Sequence, residues 1–146
     1  AGGGGGLSLG YMVIENTGLF VEFSSSFSNG PDFTDGGMTV ASSDSISVGV
    51  SGAGFGIVHY FMPLNLYISA AYVADEMLMT ESNLTLYQSK TGSGVSVMVG
   101  KEWWVSDNWG LGVAAALRTS SMDDDEDSDL SWNASGFNVV FSATYN

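Results

Sequence analysis

Apolar and polar residues alternate with a period of two along most of the chain. In the stretch LSLGYMV, residues 7–13, the odd positions are apolar and the even positions are mostly small or polar. This period places successive side chains on opposite faces of a β-strand, whereas the spacing of an amphipathic helix is almost absent. The pattern predicts seven long strands, at residues 3–14, 19–27, 46–62, 66–75, 95–104, 109–119 and 137–145.

The connections between these strands alternate between two kinds. Tight turns built from Asn, Asp, Gly and Pro lie at residues 15–18, 62–65 and 106–108. The other three connections are long and acidic, and they cover residues 29–45, 79–91 and 120–131. Short turns at one end and long loops at the other are typical of an antiparallel up-and-down meander. We therefore expect a single all-β domain over residues 1–146.

The two faces of each predicted strand indicate a barrel that spans a membrane. In the strand at 109–119 one face carries bulky apolar residues, and the other carries glycines, alanines and Arg118. Small residues cannot fill a dry core, but they suit the crowded lumen of a narrow barrel, so the apolar face is expected to meet lipid. Aromatic residues near the short turns are typical of an interfacial girdle. The predicted girdle comprises Tyr60, Trp103, Trp104, Trp109 and Tyr145.

A soluble barrel of the lipocalin type is the alternative fold. Its aromatic residues would form a core, and its opposite face would carry Lys, Glu, Arg or Thr toward solvent. This chain has mainly Gly, Ser and Ala at those positions. The membrane barrel is therefore favoured.

Charge and composition exclude several classes of function. The 146 residues include three basic and sixteen acidic ones, for a net charge of -13, so the chain cannot neutralise nucleic-acid phosphates. There are no cysteines, which excludes disulfides and thiol nucleophiles. The phosphate-binding, nucleophile-elbow and HExxH motifs are also absent, so we expect no enzyme.

Three segments resemble small bacterial outer-membrane β-barrels of the OmpA/OmpX type. GKEWWVSDNWGLGVAAAL, residues 100–117, resembles their penultimate hairpin, FNVVFSATYN resembles their closing strand, and YFMPLNLYISAAY is similar to their strand-turn-strand pattern. The resemblance implies an integral protein of a Gram-negative outer membrane, with long extracellular loops and short periplasmic turns. It also implies contact with outer-membrane lipids and lipopolysaccharide.

The strand count predicts an open edge. The first and last predicted strands both run from the loop end to the turn end, so they cannot pair with each other in antiparallel fashion. Single-chain bacterial barrels have even numbers of strands. We therefore expect a barrel of the eight-stranded type in which this chain supplies seven strands, with the first strand absent and the domain N-terminally truncated. The open edge and the loops are predicted contact sites for other envelope or surface proteins.

Two groups of charged residues are expected to face the lumen. Counting from the short turns places Glu22, His59 and Glu102 in one polar layer, which favours a set of mutually paired groups over a proton-transfer or metal site. Asp75 and Arg118 lie higher, at similar distances from their turns, and are expected to form a structural ion pair across the lumen. A channel-gating role is the alternative for that pair.

The most acidic stretch lies in the last long loop. It does not match a calcium-binding EF-hand, because Ser128 stands where the turn glycine is required. We expect a solvated loop and no cofactor, apart from loosely bound Ca²⁺ or Mg²⁺. The carboxylates concerned are Asp123, Asp124, Asp125, Glu126, Asp127 and Asp129.

These observations predict a non-enzymatic outer-membrane barrel with a structural or surface-interaction role through its acidic loops. A small pore, or a carrier for a small solute or lipid, is the alternative function.

Overall fold

A computed structural model describes residues 2–35, 37–43, 45–82, 84–123 and 131–145. These ranges contain ten strands and one 3₁₀ helix, Met62–Leu64. The all-β class predicted from the alternation is confirmed. The strands are β1 (Gly2–Ile14), β2 (Thr17–Asn29), β3 (Asp32–Asp35), β4 (Met38–Ala41), β5 (Ile46–Phe61), β6 (Leu66–Glu81), β7 (Leu84–Gln88), β8 (Gly92–Trp104), β9 (Trp109–Asp123) and β10 (Ser131–Tyr145).

Seven long strands form one antiparallel sheet, which curls into an open half-barrel. The sheet order is β1-β2-β5-β6-β8-β9-β10, and the short β7 pairs with the end of β6. Within the described ranges, β1 pairs only with β2 and β10 pairs only with β9. Since all six steps between β1 and β10 are antiparallel, these two edge strands run in the same direction.

The concave and convex faces of the sheet differ in burial. On β9 the concave positions between Gly110 and Ala116 are buried, whereas the convex Leu111, Val113 and Leu117 are 39–61% exposed. The same alternation continues on β6 and β8, so the small core lies inside the curl, whereas β1 at the edge is exposed at nearly every position. Large apolar side chains cover the outside. We call these the inner face and the outer face.

The short turns use residues that tolerate tight backbone geometry. Asn16, between β1 and β2, has φ 60°, and Asn65, which ends the 3₁₀ helix between β5 and β6, has φ 54°. Asn accepts this left-handed conformation because its short polar side chain can bond locally. In the third turn, the Trp109 N–H donates to Ser106 Oγ at 3.2 Å.

The long connections contain more strand than the sequence pattern predicts. A β3–β4 hairpin forms within residues 29–45, β6 continues to Glu81, and β7 folds back onto it. The glycine run at the start also belongs to the sheet, since Gly2–Gly6 pairs with Ser24–Ser28. The predicted ends were wrong because backbone pairing continues where the apolar alternation stops, as each exposed N–H and C=O still gains a partner.

The register shows that the strands are tilted relative to the row of short turns. Thr17, the first residue of β2, lies in one cross-strand row with Ala115 of β9, through partners on β5, β6 and β8. Ala115 is six residues beyond Trp109, the first residue of β9. If the short turns lie at one height, this six-residue offset over four strand spacings corresponds to a strand tilt of about 45° from the barrel axis, with a rise of ~3.3 Å per residue and a strand spacing of ~4.8 Å. Closed barrels tilt by about 35–45°.

Inner-face glycines allow this tight curl. A Cβ atom at Gly54 of β5 would lie 2.7 Å from both the Tyr72 carbonyl oxygen and Val73 Cγ1. At the neighbouring Gly52 and Gly56, it would collide with the backbone of β6 in the same way. These glycines are therefore required by the close approach of a neighbouring strand.

Candidate functional site

An ion pair between β6 and β9 lies at the centre of the inner face. Arg118 Nε donates to Asp75 Oδ2 at 2.9 Å, and Arg118 Nη2 donates to Asp75 Oδ1. This bidentate contact matches the planar guanidinium to the planar carboxylate. Ser120, two residues beyond Arg118, donates its hydroxyl to the same Asp75 carboxylate. The structure thus brings together the two residues that the sequence places at similar heights.

The same arginine also reaches the far side of the curl. Its Nη1 donates to Glu22 Oε1 at 3.1 Å and to Ser24 Oγ at 2.7 Å, both on β2. Three strands lie between β2 and β9 in the sheet order. We call Arg118, Asp75, Glu22, Ser24 and Ser120 the central network. The sequence pattern did not single out the two serines. Each of them lies two positions from a charged residue of the network, on the same face of its strand.

The central network is charge-imbalanced and shielded from solvent. Asp75 is fully buried, and the side chains of Arg118 and Glu22 are 17% and 12% exposed. One guanidinium therefore faces two carboxylates. Each of its three nitrogens donates to a carboxylate or hydroxyl oxygen, as a buried charge requires. The arrangement is that of a crosslink between strands.

Glycines on adjacent strands make room for these side chains. Asp75 pairs with Gly52, and a Cβ atom there would collide with its carboxylate. Glu22 pairs with Gly54, where a Cβ atom would lie 3.3 Å from the Glu22 Cγ. Each long polar side chain thus lies over a glycine, which explains why both residue types share one face.

A second polar group lies on the inner face near the short turns. Glu102 of β8 is 3% exposed, and its Oε2 has no hydrogen-bond partner among the described residues. The ring of Tyr67 covers Gly100, the next inner position on β8, and lies 5.6 Å from the ring of Tyr60. We call Glu102, Tyr60 and Tyr67 the turn-end cluster.

His59 does not join Glu22 and Glu102 in one layer. It pairs with Thr17 and with the exposed Ile68, which places it on the outer face. Its Nδ1 lies 2.8 Å from Thr17 Oγ1, and its ring packs edge-on against Phe61 at 4.8 Å. The inner-face glycines of β5 occupy even positions, so an odd position must point outward. Glu22 and Glu102 are inner-face residues, but they belong to the central network and the turn-end cluster, respectively.

Three of the five predicted girdle residues lie on the outer face. Trp109 and Tyr145 pack at 5.3 Å between ring centroids, and Trp103 lies under Lys101, whose Nζ is 5.7 Å from its ring. The Lys101 Nζ also donates to the Leu64 carbonyl oxygen at 2.9 Å. All of these groups are close to the short turns.

Tyr60 and Trp104 depart from the predicted girdle. Tyr60 pairs with the buried Tyr67, and Trp104 pairs with the buried Gly110, so both occupy inner-face positions. The prediction counted distance from the turns and ignored strand phase, which alternates with every residue.

The acidic stretch is described only at its start. Asp123 is an exposed residue at the end of β9. The other predicted cation ligands, at positions 124–127 and 129, lie outside the described residues.

Within the described ranges, no group of three or more His, Asp or Glu residues is placed to hold a metal ion. No helix in the same ranges is long and apolar enough to cross a bilayer. Comparisons with protein-family models, curated proteins and solved structures give no match.

Proposed function

We propose that this chain is a membrane-spanning β-barrel of the OmpA/OmpX type in a Gram-negative outer membrane, with a structural or surface-interaction role. The observation that carries the proposal is the exposed apolar outer face. Outward side chains such as Phe55, Leu117 and Phe141 are 61–80% exposed, while the ion-paired residues Arg118, Asp75 and Glu22 lie inside the curl. Soluble proteins rarely expose apolar patches larger than a few hundred Å². Lipid would cover this face.

The height of the apolar zone supports this assignment. On β9 the outward residues are apolar from Trp109 to Leu117, and Thr119 and Ser121 follow. Nine residues at ~3.3 Å per residue span ~30 Å along the strand, or roughly 20 Å along the membrane normal at a tilt of about 45°. The apolar band of outer-membrane barrels is ~25 Å tall. Trp109 marks the turn-end boundary of the zone.

The central network supports a structural role over a pore. Arg118 extends across the interior from β9 to β2 and occupies the space that a solute would need. Small barrels of eight strands have interiors that side chains fill. A pore or carrier is the second candidate, since the inner face is polar. The loop end, which carries the β3–β4 hairpin and the exposed Asp123 at the end of β9, would contact the exterior, including lipopolysaccharide and other surface proteins.

Charged substitutions at two depths of β9 test the membrane assignment. Val113→Arg places a charge within the apolar zone, and Ser121→Arg places the same charge beyond it. Folding into phospholipid vesicles should weaken by about 2–4 kcal/mol for Val113→Arg and by about 0–1 kcal/mol for Ser121→Arg. Urea titrations of both variants in vesicles measure the difference.

In a soluble protein, both outward positions would accept arginine at a cost within about 0.5 kcal/mol. Equal costs for the two variants, together with a monodisperse chain in buffer without detergent, would overturn the proposal.

A further inference from the structure

The two edge strands and the turn-end cluster together define a binding site for one further strand. We propose that an added strand inserts between β1 and β10, and that it carries an inward Lys or Arg whose charge pairs with Glu102. This inference rests on the proposed barrel. It adds the chemistry of the partner that completes the barrel.

The direction of the added strand follows from the sheet. Edge strands β1 and β10 run the same way, so one strand running from the turn end to the loop end can pair with both in antiparallel fashion. Unpaired N–H and C=O groups in a bilayer cost several kcal/mol each, so both edges need such a partner. The alternation of the sheet requires small or polar residues inward and apolar residues outward on that strand.

Glu102 supplies the charge that the strand must match. It is almost fully buried, and one of its carboxylate oxygens lacks a partner among the described residues. The basic residues of this chain lie elsewhere: Arg118 is held in the central network, Lys101 lies on the outer face, and Lys90 is at the loop end. A buried carboxylate without a cation is costly, whereas a paired one is tolerated.

The register shows where the basic side chain must stand. Glu102 pairs with Gly112 of β9, and Gly112 pairs with Ser142 of β10. The added strand is therefore the third strand from Glu102 in this row. Arg118 already bonds Glu22 from the fourth strand away, so a long basic side chain can cover the shorter separation inside the curl.

The Glu102 carboxylate lies over Gly110, since a Cβ atom there would be 2.9 Å from its carboxyl carbon, and Gly110 pairs with Thr144 of β10. The basic side chain therefore stands opposite Thr144, because Ser142 Oγ fills the space over Gly112.

A second copy of the chain does not satisfy these conditions. Two copies with the same orientation in a membrane would bring β10 of one beside β1 of the other in parallel, because both edges run the same way. Neither edge presents a basic residue.

Cysteine pairs introduced into residues 1–146 test the insertion, since this sequence contains no cysteine. Each double variant combines Phe137→Cys or Phe141→Cys on β10 with Leu7→Cys or Tyr11→Cys on β1. The probe is a synthetic 13-residue peptide with alternating apolar and Ser residues, two outward cysteines and one inward Lys opposite Thr144. In vesicles, we expect no direct disulfide between the edges and a peptide linked to both of them. A direct β1–β10 disulfide, or a disulfide between two copies, would overturn the proposal.

Charge specificity is measured with the cysteine-free chain and cysteine-free versions of the peptide. We expect the Lys peptide to bind at least tenfold more tightly than the same peptide with Gln. Glu102→Gln should reduce that ratio to less than twofold, whereas Ser121→Gln, at an outward position, should leave it unchanged. Equal binding of both peptides to the unmodified chain overturns this inference. If the chain still inserts into vesicles with the depth dependence described above, the proposed function survives that result.

Discussion

Arg118 on β9 bonds Glu22 on β2 at 3.1 Å, although β5, β6 and β8 lie between these strands in the sheet. In a flat sheet the two backbones would be ~19 Å apart, at ~4.8 Å per strand. The contact therefore measures the curl of the half-barrel directly. It also joins an early strand to a late one on the inner face.

Loss of the arginine should destabilise the fold strongly. Arg118→Met leaves the buried Asp75 without its cation, and we expect the free energy of unfolding to fall by about 3–5 kcal/mol. Lys101→Met removes a basic residue from the outer face and should cost less than about 1 kcal/mol. Urea unfolding in detergent micelles compares the two variants. Similar losses would show that the central network adds no specific stability.

Inner-face glycines should not accept a methyl group. Gly54→Ala places a Cβ atom 2.7 Å from the Tyr72 carbonyl oxygen, so β5 and β6 must separate. Overpacking of this kind costs about 1–3 kcal/mol. Gly5→Ala is the matched control, because nothing lies within 4 Å of its added Cβ atom. Alanine in place of an unhindered strand glycine should stabilise by about 0.4–1 kcal/mol. A stabilised Gly54→Ala variant in the same unfolding assay would contradict the tight approach of these strands.

The central network should also block ion flow. In planar bilayers, we expect no steady openings from the unmodified chain, because Arg118 occupies the interior. The double variant Arg118→Ser with Glu22→Ser shortens both side chains and leaves Asp75, so it should show small cation-selective openings. Lys101→Ser, on the outer face, should remain silent. Steady conductance from the unmodified chain would favour the pore.

Strand phase decides which site residues could be predicted from the sequence. On β9 the inner face is uniformly small up to Arg118, so the inward direction of Arg118 follows from alternation alone. Near the turn end of β5, apolar residues occupy both faces, as Ile57 and Val58 show, and the phase of His59 is ambiguous without the glycines. The contact between Glu22 and Arg118 depends on curvature, which a one-dimensional pattern does not encode.

Unequal sequence separation within the central network has a kinetic consequence. The long strands pair in the order in which they follow one another along the chain, with only the short β3, β4 and β7 between some of them. Glu22 and Arg118, in contrast, are 96 positions apart in the chain. Closing so long a segment is entropically expensive before other contacts hold it, so this bond should form after the rate-limiting step of folding. Glu22→Gln should then accelerate unfolding and leave the refolding rate nearly unchanged. The strands of the half-barrel would pair hairpin by hairpin, and the bond between Glu22 and Arg118 on the inner face would form last.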